Sequence, residues 1–283
     1  MHIIVTGGSS GIGLAVAKLY AARGYRVSLL ARDPARLEAA RAEITSLPGV
    51  DGASIRAASV DVASAAQTAE AMELCEASFG PCDILIASAG IVEPRAFDKM
   101  PASVFDEQIS INFLGTANAV RAVYKGMKSR RSGRIMMISS GAALIGIFGY
   151  TAYCASKSAL AGFAEALIAE AATSAVQISI CFPPDTLTPQ YLREISLRPR
   201  EAELLMGSVR PWSAEAVAAR IVRGMDQGRQ RIHFGFSLTA LAFFGPLIKP
   251  SLQWWFSRKT RKIFGGESGR GLADAAEHGF DND

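Results

Sequence analysis

Tyr153 and Lys157 stand four residues apart in the run Tyr153-Cys154-Ala155-Ser156-Lys157, so on a helix their side chains share one face. A phenol near its ordinary pKa of about 10 exchanges protons poorly at neutral pH, but a neighbouring ammonium favours phenolate and brings it toward a useful range. Ser140 lies thirteen residues upstream at the end of an apolar run, where its hydroxyl can hydrogen-bond a substrate carbonyl. Asn112, in a helical stretch, can hold a water that links Lys157 to solvent. Taken singly these residues have plain explanations, and a Tyr and Lys at helical spacing are ordinarily a surface pair. The proton chemistry becomes meaningful only if something nearby binds the molecule that accepts or supplies the hydride.

Such a binding turn is present near the start of the chain. Thr6-Gly7-Gly8-Ser9-Ser10-Gly11-Ile12-Gly13 follows the apolar run of Ile3, Ile4 and Val5 and opens a helical pattern, the context a dinucleotide-binding turn requires. Gly7, Gly11 and Gly13 let the backbone turn sharply beside a pyrophosphate, while the helix start around Ile12 supplies amide donors and the positive end of a dipole. After the second strand, where an acid would read the ribose hydroxyls of NAD, the chain has Ala31-Arg32. Arg32 can pair with a 2′-phosphate, with Ser9 or Ser10 donating as well, so NADPH/NADP+ is the expected cofactor. The plain alternative is a solvated Arg32 partly neutralised by Asp33. Asp61-Val62 can contact adenine, or Asp61 can cap the next helix. Ala89 and Gly90 offer small residues where the backbone must pass close to the cofactor, as tight packing of a turn would also demand.

The elements that would position these groups alternate strand with helix. Seven short apolar runs (HIIVTG, RVSLLAR, SIRAASVDV, DILIASAG, GRIMMISS, VQISICFPP and RQRIHFG) are separated by helical patterns over 13–23, 34–46, 64–79, 101–130, 153–172 and 213–227. Pro34, Pro101 and Ser213 mark helix starts. Several strands are continuous apolar runs, so both faces of the sheet must be covered. This predicts an α/β fold, a doubly wound parallel seven-stranded Rossmann-type sheet with an apolar C-terminal helical extension.

TGGSSGIG, INFLG, ISSGAA and YCASK occur in the order and spacing of the short-chain dehydrogenase/reductases, which this chain resembles over about residues 1 to 235. The resemblance implies that Tyr153 is the general acid/base, that Lys157 lowers its pKa and binds the nicotinamide ribose, that Ser140 orients the carbonyl and that Asn112 supports a proton relay. Two departures stand out: ASAG replaces the usual Asn-Asn-Ala-Gly, and Pro183-Pro184-Asp185-Thr186 replaces the common Pro-Gly, so this loop must take another path because proline cannot adopt positive φ. The PPDTxTP signature, the GIFGYTAY stretch and the apolar C-terminal segment resemble the branch of 3-ketodihydrosphingosine reductases. That likeness implies NADPH-dependent reduction of a long-chain lipidic ketone, 3-ketosphinganine to sphinganine, with Pro183, Thr186 and Thr188 beside the cofactor and Thr188 on the nicotinamide carboxamide. A 3-oxoacyl or hydroxysteroid-type reductase is the alternative within the class, and a non-catalytic nucleotide-sensing protein the alternative outside it. The family likeness also implies a homo-oligomer, a dimer or tetramer.

Beyond residue 235 the composition changes. Residues 236–264 are apolar and then basic, and 265–283 are Gly-rich and end acidic, which predicts an unstructured tail. Gly245-Pro246 and Lys249-Pro250 should split the apolar stretch into pieces too short to span a bilayer. Trp254-Trp255 followed by Arg258, Lys259, Arg261 and Lys262 suits peripheral contact through 236–262 with anionic headgroups; a lid over the cleft or a dimer contact is the alternative. A net charge of +4 spread along 283 residues does not suggest nucleic acid. Cys75, Cys82, Cys154 and Cys181 show neither metal-ligand nor disulfide-framework spacing, so no metal is expected, and the apolar start leaves no room for a leader. Both features point to a cytoplasmic protein with reduced thiols, resting at most on the face of a membrane.

Overall fold

The computed structural model describes residues 1–207 and 210–277. Six strands come first: β1 (His2–Thr6), β2 (Arg26–Ala31), β3 (Ile55–Ser59), β4 (Ile84–Ala87), β5 (Gly133–Ile138) and β6 (Val176–Phe182). The short strands β7 (Thr186–Leu187) and β8 (Trp212–Ser213) pair with each other, and β9 (Arg231–His233) completes the main sheet. The seven main strands are all parallel in the order β3-β2-β1-β4-β5-β6-β9. This is the predicted doubly wound sheet. Its strand order reverses between β1 and β4, so the loops leaving their carboxyl ends diverge and open a crevice.

Continuous apolar strands put a side chain into each of two cores. Ile3, Val5, Ile84 and Ile86 pack on one face beneath α1 (Gly11–Ala21), α2 (Pro34–Thr45) and α9 (Ala214–Asp226). Ile4 and Leu85 pack on the other beneath α3 (Ala65–Phe79), α5 (Gly115–Arg130) and α6 (Thr151–Ala171). The helix starts follow from short polar caps. Asp33 accepts from the amides of Ala35 and Arg36 with Pro34 at the first helical position, while Ser64 and Ser213 cap α3 and α9. Capping of α3 therefore falls to Ser64 and not to Asp61, whose Oδ1 instead accepts from Ala63 N at 3.0 Å.

The predicted helix over 101–130 is α4 (Ala102–Ile109) joined to α5 through a π turn at Ser110–Leu114, which carries Asn112. Such turns insert one extra residue into the helical ladder and often sit at functional sites. Two short helices, α7 (Pro189–Ile195) and α8 (Arg200–Met206), follow β7 where too few periodic residues signal them in sequence.

The C-terminal extension is helical, as expected, but is not split at its prolines. A single helix α10 (Gly235–Glu277) runs through Pro246 and Pro250 without ending, and it continues over 265–277 where a tail is predicted; residues 278–283 lie outside the described residues. Each proline removes one amide and crowds one carbonyl, but the turns on either side keep their own bonds, and a nucleated helix extends at one bond per residue. Among the described residues no helix is long and apolar enough to cross a membrane.

Candidate active site

The crevice at the switch point is a cleft of about 1130 Å³. At one end lies the glycine turn. Gly7 has φ +67° and donates to Leu30 O at 2.7 Å, and a Cβ on Gly13 would lie 2.4 Å from Gly7 O. Any side chain at Gly13 would thus push the turn apart. The first amides of α1, on Gly11, Ile12 and Gly13, have no intrahelical acceptor. Ser10 occupies the N-cap position yet makes no side-chain cap bond, which leaves its hydroxyl, like that of Ser9, available to the cleft. Empty space bounded by free amides and uncommitted hydroxyls at a helix start fits a pyrophosphate.

Arg32 lines the same end, its Nη1 3.3 Å from Glu107 Oε1, with both side chains about half exposed. Asp33, which could have read ribose hydroxyls, is committed to capping α2. A second cation, Arg36, also lines the cleft; it stands in the helical stretch and carries no sequence signal of its own beyond proximity to Arg32. Asp61 and Val62 border the cleft too, with Val62 O accepting from Asn118 Nδ2 at 3.0 Å. Ala89 lies beside Gly7 and Gly90 beside Asn112 and Lys157, the Ala89 and Ser88 amides both reaching Thr6 Oγ1. Thr6 thus steadies the turn in which Ser88 stands.

The residues expected to transfer the proton lie further along. α6 begins at Thr151, placing Tyr153 in its first turn and Lys157 one turn on. Lys157 is only 5% exposed; its Nζ donates to Ile138 O at 3.0 Å and sits 5.7 Å from the Tyr153 ring centroid. Burial lowers its pKa to about 8. Tyr153 moves opposite to the sequence argument: burial pushes its phenol above the ordinary value, and the Ser140 hydroxyl, not the ammonium, is the main opposing influence. Ser140 Oγ also accepts from Ala142 N at 3.1 Å, which fixes its rotamer.

Asn112 is wholly buried. Its Nδ2 donates to Ile91 O and Ser156 Oγ at 2.9 and 3.0 Å, and its Oδ1 accepts from Ile91 N at 2.7 Å. The side chain is thus a brace first. Its Oδ1 and Lys157 Nζ would each lie 3.2 Å from a Cβ on Gly90, so both flank one point. Two positioning residues escaped the sequence reading: Ser139, whose hydroxyl donates to Lys157 O at 2.9 Å, and Ser156, which donates to Tyr153 O at 2.8 Å. Serines in a strand end and a helix carry no pattern that separates them from their neighbours.

The loop after β6 passes through Pro183 and Pro184 with no positive φ and pairs as β7 with β8. Pro183 O accepts from Gly141 N at 2.9 Å, and Thr186 Oγ1 donates to Pro184 O at 2.8 Å, so the Thr186 proton is used within the loop. Thr188 faces the glycine turn, its Cγ2 3.0 Å from a Cβ on Gly11; its oxygen caps α7, leaving its O–H to donate. Beyond it Tyr150 and Asp185, from the GIFGYTAY and PPDTxTP stretches, form a polar network with Glu194 and Arg198, which no sequence motif announces.

A family model described as short chain dehydrogenase matches residues 1–195. The chain is 38% identical over 228 residues to a 3-ketodihydrosphingosine reductase of Bos taurus, covering 80% of this chain and 69% of that protein. It is 37% identical over 244 residues to a 3-dehydrosphinganine reductase of Danio rerio, covering 85% and 74%. A crystal structure of levodione reductase superposes with a TM-score of 0.74 at 25% identity, covering 82% of this chain and 95% of that one.

The lowered pKa of Lys157 has a measurable consequence. Between about 8, its folded value, and about 10.4 in the unfolded chain, the unfolded state holds a proton the folded state has released, so this group's contribution to stability rises with pH across that window. Lys157→Met should therefore be more resistant to urea than the parent below pH 8, with the gap in midpoint closing by about pH 10. A gap independent of pH would contradict a lowered Lys157.

Proposed function

The chain belongs to the short-chain dehydrogenase family, and from that premise we propose that it reduces the C3 ketone of 3-ketosphinganine to the secondary alcohol of sphinganine with NADPH. The observation that carries the substrate reading is the placement of α10. Leu238 packs against Gly141, its Cδ2 2.8 Å from where a Cβ would stand, directly beside Ser140. The cleft therefore passes from the Ser140 and Tyr153 hydroxyls onto an apolar wall of Leu238, Leu241, Leu252 and Trp255, which suits an alkyl chain attached next to the reacting carbonyl. The relatives named for this ketone share the chain over most of its length.

The dinucleotide's place follows from the donors already described. The amides at Gly11, Ile12 and Gly13 with the Ser10 hydroxyl take the pyrophosphate, Arg32 and Arg36 with Ser9 take the 2′-phosphate, and Lys157 and Thr188 take the nicotinamide end. Bound there, NADPH supplies the hydride. The chain's own residues do the rest: Ser140 donates to the carbonyl oxygen and holds it, and Tyr153 gives up its proton as negative charge develops there. The Lys157 ammonium stabilises the phenolate left behind, and Asn112, whose Oδ1 approaches the same side of Gly90 as Lys157 Nζ, supports a relay that returns the proton. Burial makes the Tyr153 phenol a weaker acid, a cost that its hydrogen bond with Ser140 opposes.

The outer face of α10 supports contact with the membrane that would hold such a substrate. Phe243, Leu247 and Trp254 recur at helical spacing on that face and are exposed, while Arg258 and Lys259 lie 5.5 and 4.7 Å from the ring centroids of Trp254 and Trp255. The lid and membrane readings are thus two faces of one helix.

Tyr153→Phe should lower turnover of 3-ketosphinganine by about 10²-fold or more while NADPH affinity, followed by fluorescence titration, is retained. A parent protein that binds NADPH but turns over no ketone would instead be a sensor. Arg32→Ala should raise the KM for NADPH about 10-fold and leave that for NADH nearly unchanged; equal effects on both would remove the 2′-phosphate from Arg32. Co-sedimentation with vesicles containing anionic lipid should fall when Trp254 is changed to Ala together with Arg258→Gln and Lys259→Gln, and should be insensitive to them if α10 serves only as a lid.

A further inference from the structure

We propose that Asp185, backed by Glu194, recognises an ammonium group on the carbon adjacent to the reacting ketone, so that the enzyme selects amino ketones over ketones lacking the amine. This rests on the reading of the substrate as 3-ketosphinganine, whose C2 carries an amino group next to the C3 carbonyl. A site that holds the carbonyl oxygen on Ser140 and Tyr153 must place that nitrogen within a few ångströms of the same tyrosine.

The neighbourhood is built for it. Tyr150 precedes Tyr153 by three residues and meets it edge to face, ring centroids 6.3 Å apart. The Tyr150 hydroxyl donates to Glu194 Oε1 at 2.6 Å, and Arg198 Nη2 donates to the same oxygen at 2.8 Å and to Asp185 Oδ2 at 3.1 Å. Arg198 is 7% exposed at its side chain and is the shared partner of both carboxyl groups, so one guanidinium serves two acids. Two further cations border the cleft: Arg193, 3.5 Å from a Glu93 carboxylate that Arg95 also meets at 3.2 Å, and Arg210. Each carboxylate uses one oxygen; Asp185 Oδ1 and Glu194 Oε2 have no protein partner among the described residues. Asp185 is the more open of the two, 29% exposed against 11% at the side chain, and both border the cleft. The position of Asp185 is fixed from both sides, since its carbonyl accepts from Trp212 N at 2.9 Å where β8 begins. Both charges also act on Tyr153, disfavouring its phenolate, and an ammonium seated between them and the phenol would relieve that cost. A ketone without the amine leaves the carboxylate oxygen desolvated and unmatched, which is how a polar site rejects an analogue lacking one group.

The test is a competition of kcat/KM values between 3-ketosphinganine and 1-hydroxyoctadecan-3-one, which has the same chain and carbonyl without the amine. The parent should prefer the amino ketone by about 10-fold or more, and Asp185→Asn should reduce that ratio about 10-fold. Because a ratio is read, general damage to the fold or to catalysis cancels, and Glu194→Gln gives a second, smaller shift in the same direction. An unchanged ratio in Asp185→Asn, with an active parent that prefers the amino ketone, overturns the role of the carboxylates alone. A parent that reduces both ketones equally overturns amine recognition, and one that reduces neither overturns the substrate reading with it.

Discussion

A buried ammonium keeps its charge only if something accepts its protons, and Lys157 finds that acceptor in Ile138 O at the last residue of β5. This bond ties α6 to the sheet at the edge of the crevice. It can form only if the strand ends there and if α6 starts near Thr151, which in turn puts Tyr153 one turn earlier on the same side. Ser139, the residue after Ile138, closes the same joint from the other direction by donating to Lys157 O. The protein thereby holds a group whose burial opposes its ionisation, a standing cost located where its proton is useful.

A chain of buried polar side chains carries this joint across to the neighbouring loop. Asn112 grips the Ile91 backbone with both ends of its amide and reaches Ser156, which holds Tyr153 O. The π turn brings Asn112 inward at that point, and Thr116 Oγ1 donates to Asn112 O at 2.9 Å. In a low-dielectric interior such a network is stable only when every member is satisfied, so each residue constrains the next. Catalytic geometry is in this way set by side chains that never meet substrate.

The Pro183–Thr188 loop and α10 close the cleft on its far side, and here the fold departs from what a compact sheet alone requires. The loop hands its Pro183 carbonyl to Gly141 and presents Asp185 to Arg198, while α10 lays Leu238 over Gly141. Polar and apolar walls therefore border one cleft, the first carrying the Asp185 carboxylate and the second the side chain of Leu238.

Much of this was legible in the sequence because it rests on local patterns. Apolar runs and helical periods determined the sheet, the glycine spacing determined the turn, and the four-residue step from Tyr153 to Lys157 put both on one side of a helix. Arg32 was visible because a missing acid is itself a signal. What only the tertiary structure decided are the contacts between segments distant in the chain: Arg36 beside Arg32, Ser139 beneath Lys157, and Glu194 and Arg198 under Tyr150. The upward shift of the Tyr153 phenol belongs here too, since desolvation depends on everything packed around it and no spacing of residues encodes that. Asp61 yielded its cap to Ser64, and α10 passed both of its prolines, because bonds elsewhere in each helix outweighed the local preference.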